Sequence, residues 1–372
     1  MEASVKQRIS PPSGRWQGSE GEDPNQHPFH PVPDPATGEL KIDPEIMLRA
    51  QGLNLEINFF YSSNSNRDDQ YGRARSASVN GYLLSSTSTA LVSIVRGDMS
   101  AVAYQANIFG GGFEIPAPNE NVGIYNALTT DGTTFTEIFN DGTKLVYQAQ
   151  VGGGDPVKHE LVRVVDASGN THTYTYGTGA EVGLLKTITV PGGNKVTFTY
   201  AASTPTSLLS SVQDWAGRLT TFQYNAARYM TTMITPLGCS TGYTYSLAGT
   251  GTVTMVHAIE DPRGYRTTYM YDSDRRVTSM AAGSGVWTYT YSNSPRRSAT
   301  ISPLGAITTY NYSGRGMIDT IQRPEGYTST YTYTNALKTS ETVPAGTIFS
   351  MSYSGTIWVP TVQQDALGNR TT

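Results

Sequence analysis

Eight times in its second half this chain places a glycine five and seven residues ahead of two large side chains, usually tyrosines. The series is Gly169 with Tyr174 and Tyr176, Gly193 with Phe198 and Tyr200, Gly217 with Phe222 and Tyr224, and Gly238 with Tyr243 and Tyr245. It continues with Gly264, Tyr269 and Tyr271, Gly305, Tyr310 and Tyr312, Gly326, Tyr331 and Tyr333, and Gly346, Met351 and Tyr353. A slipped copy, Gly285 with Tyr289 and Tyr291, fills the gap before Gly305, and the glycines then step by 24, 24, 21, 26, 21, 20, 21 and 20 residues. A period of that size marks a repeat architecture, in which each unit is one supersecondary motif that buries its apolar face only against its neighbours.

Each unit reads turn, strand, turn, strand. Pro-Leu-Gly at 236–238 and 303–305, Pro-Arg-Gly at 262–264 and Pro-Glu-Gly at 324–326 supply one turn, with proline fixing φ and glycine permitting a positive φ. Thr-Thr-Tyr-x-Tyr or a variant follows, β-branched and aromatic as a pleated strand favours, with both aromatics on one face. The second strand is of the type Arg276–Met280 or Met317–Ile321. Constant spacing predicts aromatic ladders running from hairpin to hairpin. Packing is the favoured role of those rings, since Phe or Met replaces Tyr in some copies; stacking on sugar rings or enclosing a polypeptide is the functional alternative.

Three regions are expected. Residues 1–33 are polar and rich in proline, and read as a flexible leader that cannot bury enough surface to fold. Residues 34–155 read as a β-rich, non-repeating region: Leu53, Leu55, Ile57, Phe59 and Tyr61 alternate with polar residues, and further strands are predicted at 81–84, 90–96, 101–108, 133–139 and 144–148. Asp131-Gly132 and Asn140-Asp141-Gly142 are tight-turn signals, and Gly152 to Gly154 form a hinge. The array occupies residues 156–372, about nine copies and the start of a tenth. No amphipathic helix is evident, so the fold class is all-β.

Composition removes several functions. Residues 1–160 carry 11 Lys and Arg against 19 Asp and Glu, and the remainder 15 against 11, so neither half has the basic concentration of a nucleic-acid binder. No stretch approaches the roughly 20 apolar residues of a membrane-spanning helix, and no secretory signal is visible at the start. The single cysteine, Cys239, excludes an internal disulfide framework and a multi-cysteine metal cluster.

Gly238-Cys239-Ser240-Thr241-Gly242 formally matches a nucleophile elbow, which needs a following helix, an acid and a histidine. The sequence puts a strand after it, only His257 downstream, and no carboxylate between them, so a hydrolase using Ser240 is the least favoured reading. Cys239 is expected as a half-buried strand residue. His27 and His30, with Glu22 and Asp23 nearby, are expected to be solvated rather than to ligate a metal. Asp68-Asp69 and Asp272-x-Asp274 lack the glycine turn and distal glutamate of a calcium loop and read as turn carboxylates. His159 and His172 have no partner that spacing identifies. No catalytic, cofactor or metal residue is assigned.

The segment Asp261-Pro262-Arg263-Gly264-Tyr265-Arg266-Thr267-Thr268-Tyr269-Met270-Tyr271-Asp272 resembles the YD repeat of RHS-type proteins. Asp214-Trp215-Ala216-Gly217-Arg218-Leu219 and Asp365-Ala366-Leu367-Gly368-Asn369-Arg370 carry the same pattern. Thr37-Gly38-Glu39-Leu40, Tyr61-Ser62-Ser63 and Tyr71-Gly72 resemble the segment preceding such arrays, so the resemblance covers roughly 34–372. It implies a long sheet, built hairpin by hairpin, that spirals into the hollow shell of RHS, insecticidal-toxin-complex and teneurin proteins. The chain would be an N-terminal shell segment, with an unfinished sheet edge at its C-terminus. The family's Asp-Pro-x-Gly-Leu autoproteolytic core is absent, since Asp261 to Tyr265 is an ordinary repeat turn. Implied partners are further shell repeats or an enclosed C-terminal polypeptide, and the implied location is secreted or cell-surface. The alternative is a surface module in which exposed Tyr and Arg, including Arg263, Arg266, Arg275, Arg276, Arg296 and Arg297, contact a glycan or an anionic polymer. Where the consensus turn glycine is replaced, by Arg228 and Arg275, a looser or different turn is expected; Tyr333-Thr334 lacks the aspartate of the motif altogether.

Overall fold

In the computed structural model the described residues are 31–50, 52–86, 91–106, 112–114, 126–149, 155–203, 205–247, 253–314, 316–334, 337–343, 348–353, 360–365 and 367–371. The predicted hinge at 152–154, the leader histidines His27 and His30, and Gly346 lie outside them. The fold is all-β and antiparallel, as the alternation and turn signals require; the one helical element among the described residues is a 3-10 turn at Gly179–Glu181.

The chain divides into two compact units, one containing Asp43–Phe60 and Arg67–Thr221, the other Tyr61–Asn66, Phe222–Thr372 and the segment ending at Ile42. In the first unit the strands predicted from alternation are present at Tyr82–Ser85, Leu91–Val95, Ala101–Ala106, Thr134–Ile138 and Lys144–Ala149. With Phe113–Glu114, Ala127–Thr130 and Val157–Val165 they pair each with the next. The circuit of pairing then returns to its start, because Val157 to Glu160 pair with Tyr82–Ser85. The other half of the same long strand, Arg163 to Val165, pairs instead with Thr171–Tyr176, and from there the repeat hairpins run on as an open series. One strand thus serves both the circuit and the array.

Within the circuit's interior, Arg96 forks onto Glu137: Nη1 donates to Oε2 at 3.0 Å and Nη2 to Oε1. The Tyr104 hydroxyl at 3.2 Å and the Asn126 amide at 2.7 Å donate to the same Oε1, and Arg96 lies over the Phe139 ring at 5.4 Å. A fully buried carboxylate survives there because its lone pairs are filled by charged and neutral donors.

The second unit is a regular series of hairpins from Met230–Ile234 to Arg370–Thr371, each strand paired with the next in sequence. Its buried face carries Met233, Tyr243, Ile259, Tyr269, Met280 and Tyr289, all under 6 % exposed. Further along, Tyr310 and Tyr331 are only half-buried.

Candidate functional site

The repeat turn sets the geometry of everything above it. In Asp261–Tyr265 the Asp261 amide donates to the Tyr265 carbonyl, and the Gly264 amide returns to the Asp261 carbonyl, both at 2.9 Å. Asp261 Oδ1 accepts the amides of Arg263 and Tyr265, and its other oxygen takes the Arg263 guanidinium. Asp166, Asp214, Asp272 and Asp365 repeat this arrangement, with Asn170, Arg218, Arg276 and Asn369 as the side-chain donor. The aspartate of the repeat is therefore a turn lock that replaces missing ladder bonds. Partial burial pushes Asp214 and Asp261 upward, yet the surrounding donors outweigh it and hold both below the usual carboxylate range. For Asp166 and Asp365 the asparagine amide is the largest lowering influence.

The turns at Arg228 and Arg275 are neither looser nor different. Arg275 has φ 66° and Arg228 φ 68°, and each closes the same pair of backbone bonds as the glycine copies. The five-residue hydrogen-bonded frame imposes the left-handed conformation even on arginine, at a strain cost of about 1–2 kcal/mol.

The two aromatics of each repeat have separate jobs. The first position (Tyr174, Phe198, Phe222, Tyr243, Tyr269, Tyr289) is buried to within 5 % and tolerates phenylalanine. In four copies it lies opposite an apolar residue of the intervening strand: Tyr174 pairs with Ile188, Phe198 with Val212, Tyr243 with Ile259 and Tyr269 with Met280, whereas Tyr289 of the slipped copy pairs with Thr300. The expected aromatic ladder is thereby corrected. Rings of successive hairpins are two strands apart, about 9.5 Å, with a non-aromatic residue between them, because only one strand per repeat carries the tyrosine pair.

The second position is tyrosine in every copy, and in six of them its hydroxyl makes a hydrogen bond to the preceding hairpin. Tyr176 donates to the Leu161 carbonyl at 2.9 Å, Tyr200 to Leu185 at 2.9 Å, Tyr245 to Met230 at 2.7 Å and Tyr271 to Val256 at 2.7 Å, each fifteen residues back. In the slipped copy Tyr291 reaches Val277, fourteen residues back, across the shorter turn at Gly283. Tyr312 instead meets the Ser298 hydroxyl at 3.0 Å. Burial raises the pKa of Tyr176 and Tyr271, and that of Tyr333 to about 12, so these phenols stay protonated.

The carbonyls are available because the sheet is bulged at this point. Register breaks between Thr175 and Tyr176, Thr199 and Tyr200, Thr244 and Tyr245, Met270 and Tyr271, Asn311 and Tyr312, Thr332 and Tyr333, and Ser352 and Tyr353. At each, two residues of the second strand oppose one of the first, which disrupts the ladder locally. Glycine spacing did not reveal that Tyr147 occupies the same register: it pairs with Leu161 across a bulge after Val146, but its turn glycine, Gly142, is five residues back rather than seven.

The N-terminal segments lie on this same face, within each unit. In the first, the Leu209 amide donates to the Gln70 carbonyl at 2.8 Å, and His172 Nε2 meets the Leu53 carbonyl at 3.1 Å. In the second, the Val256 amide donates to the Tyr61 hydroxyl at 3.0 Å and the Val277 amide to the Gly38 carbonyl at 2.9 Å. The Tyr269 hydroxyl donates to the Pro31 carbonyl at 2.9 Å.

The remaining candidates are scattered. Ser240 is exposed, and His257 lies opposite Thr244 and Tyr245, about 15 Å along the strand, with its Nδ1 on the Tyr269 carbonyl at 3.1 Å. Cys239 is exposed at the turn, not half-buried, because the strand begins one residue later. Asp68 pairs with Arg73 at 3.1 Å, Asp69 with Arg67 at 2.7 Å, and Asp272 and Asp274 both with Arg276. His159 contacts the Ser85 hydroxyl at 2.8 Å. A cleft of about 350 Å³ is lined by Thr290, Tyr291, Ser292, Pro295, Arg297 and Ser298.

No family model matches this chain, and no curated protein matches it. Among solved structures, the crystal structure of TcdB2-TccC3-Cdc42 aligns over 88 % of this chain and 21 % of its own length, at 8 % identity and TM-score 0.38. TcdB2-TccC3 aligns over 88 % and 24 %, at 9 % identity and TM-score 0.37. The Tc holotoxin pore of Photorhabdus luminescens, with a mutation in TccC3, aligns over 88 % and 21 %, at 10 % identity and TM-score 0.36. The chain spans under a quarter of the length of these structures. Likeness at this level carries no inference about activity, substrate or partner.

Proposed function

We propose that this chain is a non-enzymatic structural protein, a length of repeat-built β-wall whose tyrosine face holds polypeptide against it. Its setting would be that of RHS-type toxin-delivery or cell-surface proteins, with further repeats or an enclosed C-terminal polypeptide as partners. One observation carries the reading: the chain already lays its own N-terminal segments on that face, with the Gly38 and Pro31 carbonyls taken by the array. Hydrogen bonding by main-chain groups suits a wall that must hold chains of unspecified sequence.

The cleft at Thr290 to Ser298, with several hydroxyls and the Arg297 guanidinium, supports a second reading, a surface module for a glycan or anionic polymer. Two measurements on the whole protein separate them. Binding of a fluorescent, reduced and carboxymethylated model polypeptide, with no salt-sensitive retention on heparin, supports the wall. Heparin retention that falls between 50 mM and 300 mM salt, with no polypeptide binding, supports the surface module. Fluorophosphonate labelling of Ser240 would overturn the non-enzymatic assignment.

A further inference from the structure

Successive antiparallel strands place alternate hairpin turns on opposite edges of the second unit. The five-residue turns at 235–239, 261–265, 302–306, 323–327 and 365–369 all fall on one edge. Each carries one large apolar side chain: Leu237, Tyr265, Leu304, Tyr327 and Leu367 are 91, 59, 96, 54 and 86 % exposed. Single exposed leucines are ordinary on a protein surface, but these recur in equivalent turns along one edge. The described turns of the opposite edge carry Ser273, Asp274, Ser294 and Gly314 instead. The turn frame fixes the backbone beneath each leucine, because the Gly238, Gly305 and Gly368 amides return to the Thr235, Ser302 and Asp365 carbonyls at 2.9, 2.9 and 3.1 Å.

The shape and charge of this row identify what covers it. Consecutive turns on one edge are two strands apart, about 9.5 Å, so the row is one side chain wide and broken by polar turn residues. A stable protein interface takes a contiguous patch of about 800 Å² per partner, which a single file does not offer. A lipid surface accepts each side chain separately. Tyrosine, with an apolar ring and a polar tip, suits the level of the headgroups. Charges cancel along the row: 235–239 and 302–306 have none, Asp261 is matched by Arg263, Glu325 by Arg323 and Asp365 by Arg370. An anionic layer would therefore gain nothing over a zwitterionic one. We infer that this edge docks on a zwitterionic phospholipid surface, with Leu237, Leu304 and Leu367 inserted at the hydrocarbon boundary and Tyr265 and Tyr327 among the headgroups. The inference goes beyond the wall reading and does not depend on it.

The test sediments the whole protein with phosphatidylcholine vesicles. Binding is expected, and it is expected to stay the same when salt is raised or when about a third of the lipid is replaced by phosphatidylserine. Leu237→Ser, Leu304→Ser and Leu367→Ser are each expected to weaken binding about fivefold, and the triple variant about a hundredfold. Such exposed positions change folding little, which a thermal melt of each variant checks. Leu247→Ser, 61 % exposed at the opposite end of the strand Ser240–Leu247, is expected to leave binding unchanged. In Leu304→Trp the indole emission is expected to shift to the blue with vesicles and to be quenched by lipids brominated high on their chains. Failure of the unaltered protein to bind, normal binding by the triple variant, or an unmoved indole emission overturns the inference and leaves the wall reading standing. Binding that requires phosphatidylserine and falls with salt overturns it in favour of a charged surface. Self-association that the triple variant loses, without vesicle binding, overturns it and makes the edge a contact between copies of the chain.

Discussion

Tyr176 and Leu161 are joined across a repeat boundary by a 2.9 Å hydrogen bond from phenol to main-chain carbonyl, on the strand where the pairing circuit hands over to the array. The bond ties one hairpin to the preceding one without using the ladder. It recurs at the same interval in later repeats, so it acts as a second, side-chain stitch running along the sheet.

Tyr176→Phe is therefore expected to cost about 1–3 kcal/mol, because a buried carbonyl loses its donor. Tyr174→Phe, two residues earlier on the same face, is expected to change stability by less than about 0.5 kcal/mol, since Phe198 and Phe222 fill the equivalent place. Urea unfolding of the two variants checks this; equal effects would refute the division of labour.

The turn frame gives a second contrast. Gly264 has φ 83° and open space where a Cβ would sit, so Gly264→Ala is expected to cost about 1–2 kcal/mol through backbone strain alone. Arg275→Gly is expected to move stability the other way, by less than about 1 kcal/mol, because the 2.9 Å contact of Arg275 with Asn66 is lost along with the strain. Thermal denaturation of both would show opposite signs.

Glycine spacing made the repeat strands legible because each turn needs a positive φ and each strand an aromatic pair. The functions of the two tyrosines were not separable from spacing, since the bulge that frees the Leu161 carbonyl leaves no mark in composition. Tyr147 escaped for the same reason: pairing register, not glycine interval, defines its place. Contacts between residues far apart in sequence, such as Gly38 with Val277 or Arg96 with Glu137, depend on folding and have no local signal.

Arg96 and Glu137 form the most consequential polar pair in the first unit. Glu137→Leu or Arg96→Met alone is expected to destabilise that unit by about 3–5 kcal/mol, since each leaves the partner's buried charge uncompensated. The paired variant Arg96→Met with Glu137→Leu is expected to recover much of the loss. A double-mutant cycle by denaturant unfolding reads the coupling, and additive effects would show that the two side chains act independently.

His172 gives a pH dependence whose sign is fixed by its surroundings. The ring is fully buried, Nε2 meets the Leu53 carbonyl, and no partner among the described residues serves Nδ1. Burial lowers its pKa, with the Leu53 carbonyl and the charge of Asp166 acting in the opposite direction. His159, on the adjacent strand and in contact with Ser85, is shifted down by burial as well. A base whose folded pKa is depressed binds more protons when unfolded, so its stabilising effect is complete above the unfolded value of about 6.5 and declines as pH falls below it. The first unit is expected to lose stability between pH 7 and 5, with faster exchange of the amides at 171–176 as the buried ring is forced to take a charge. His172→Gln retains an N–H donor for Leu53 and cannot titrate, so it is expected to flatten that exchange profile and leave only the contribution of His159. A His172→Gln profile as steep as that of the unaltered protein would assign the acid sensitivity elsewhere.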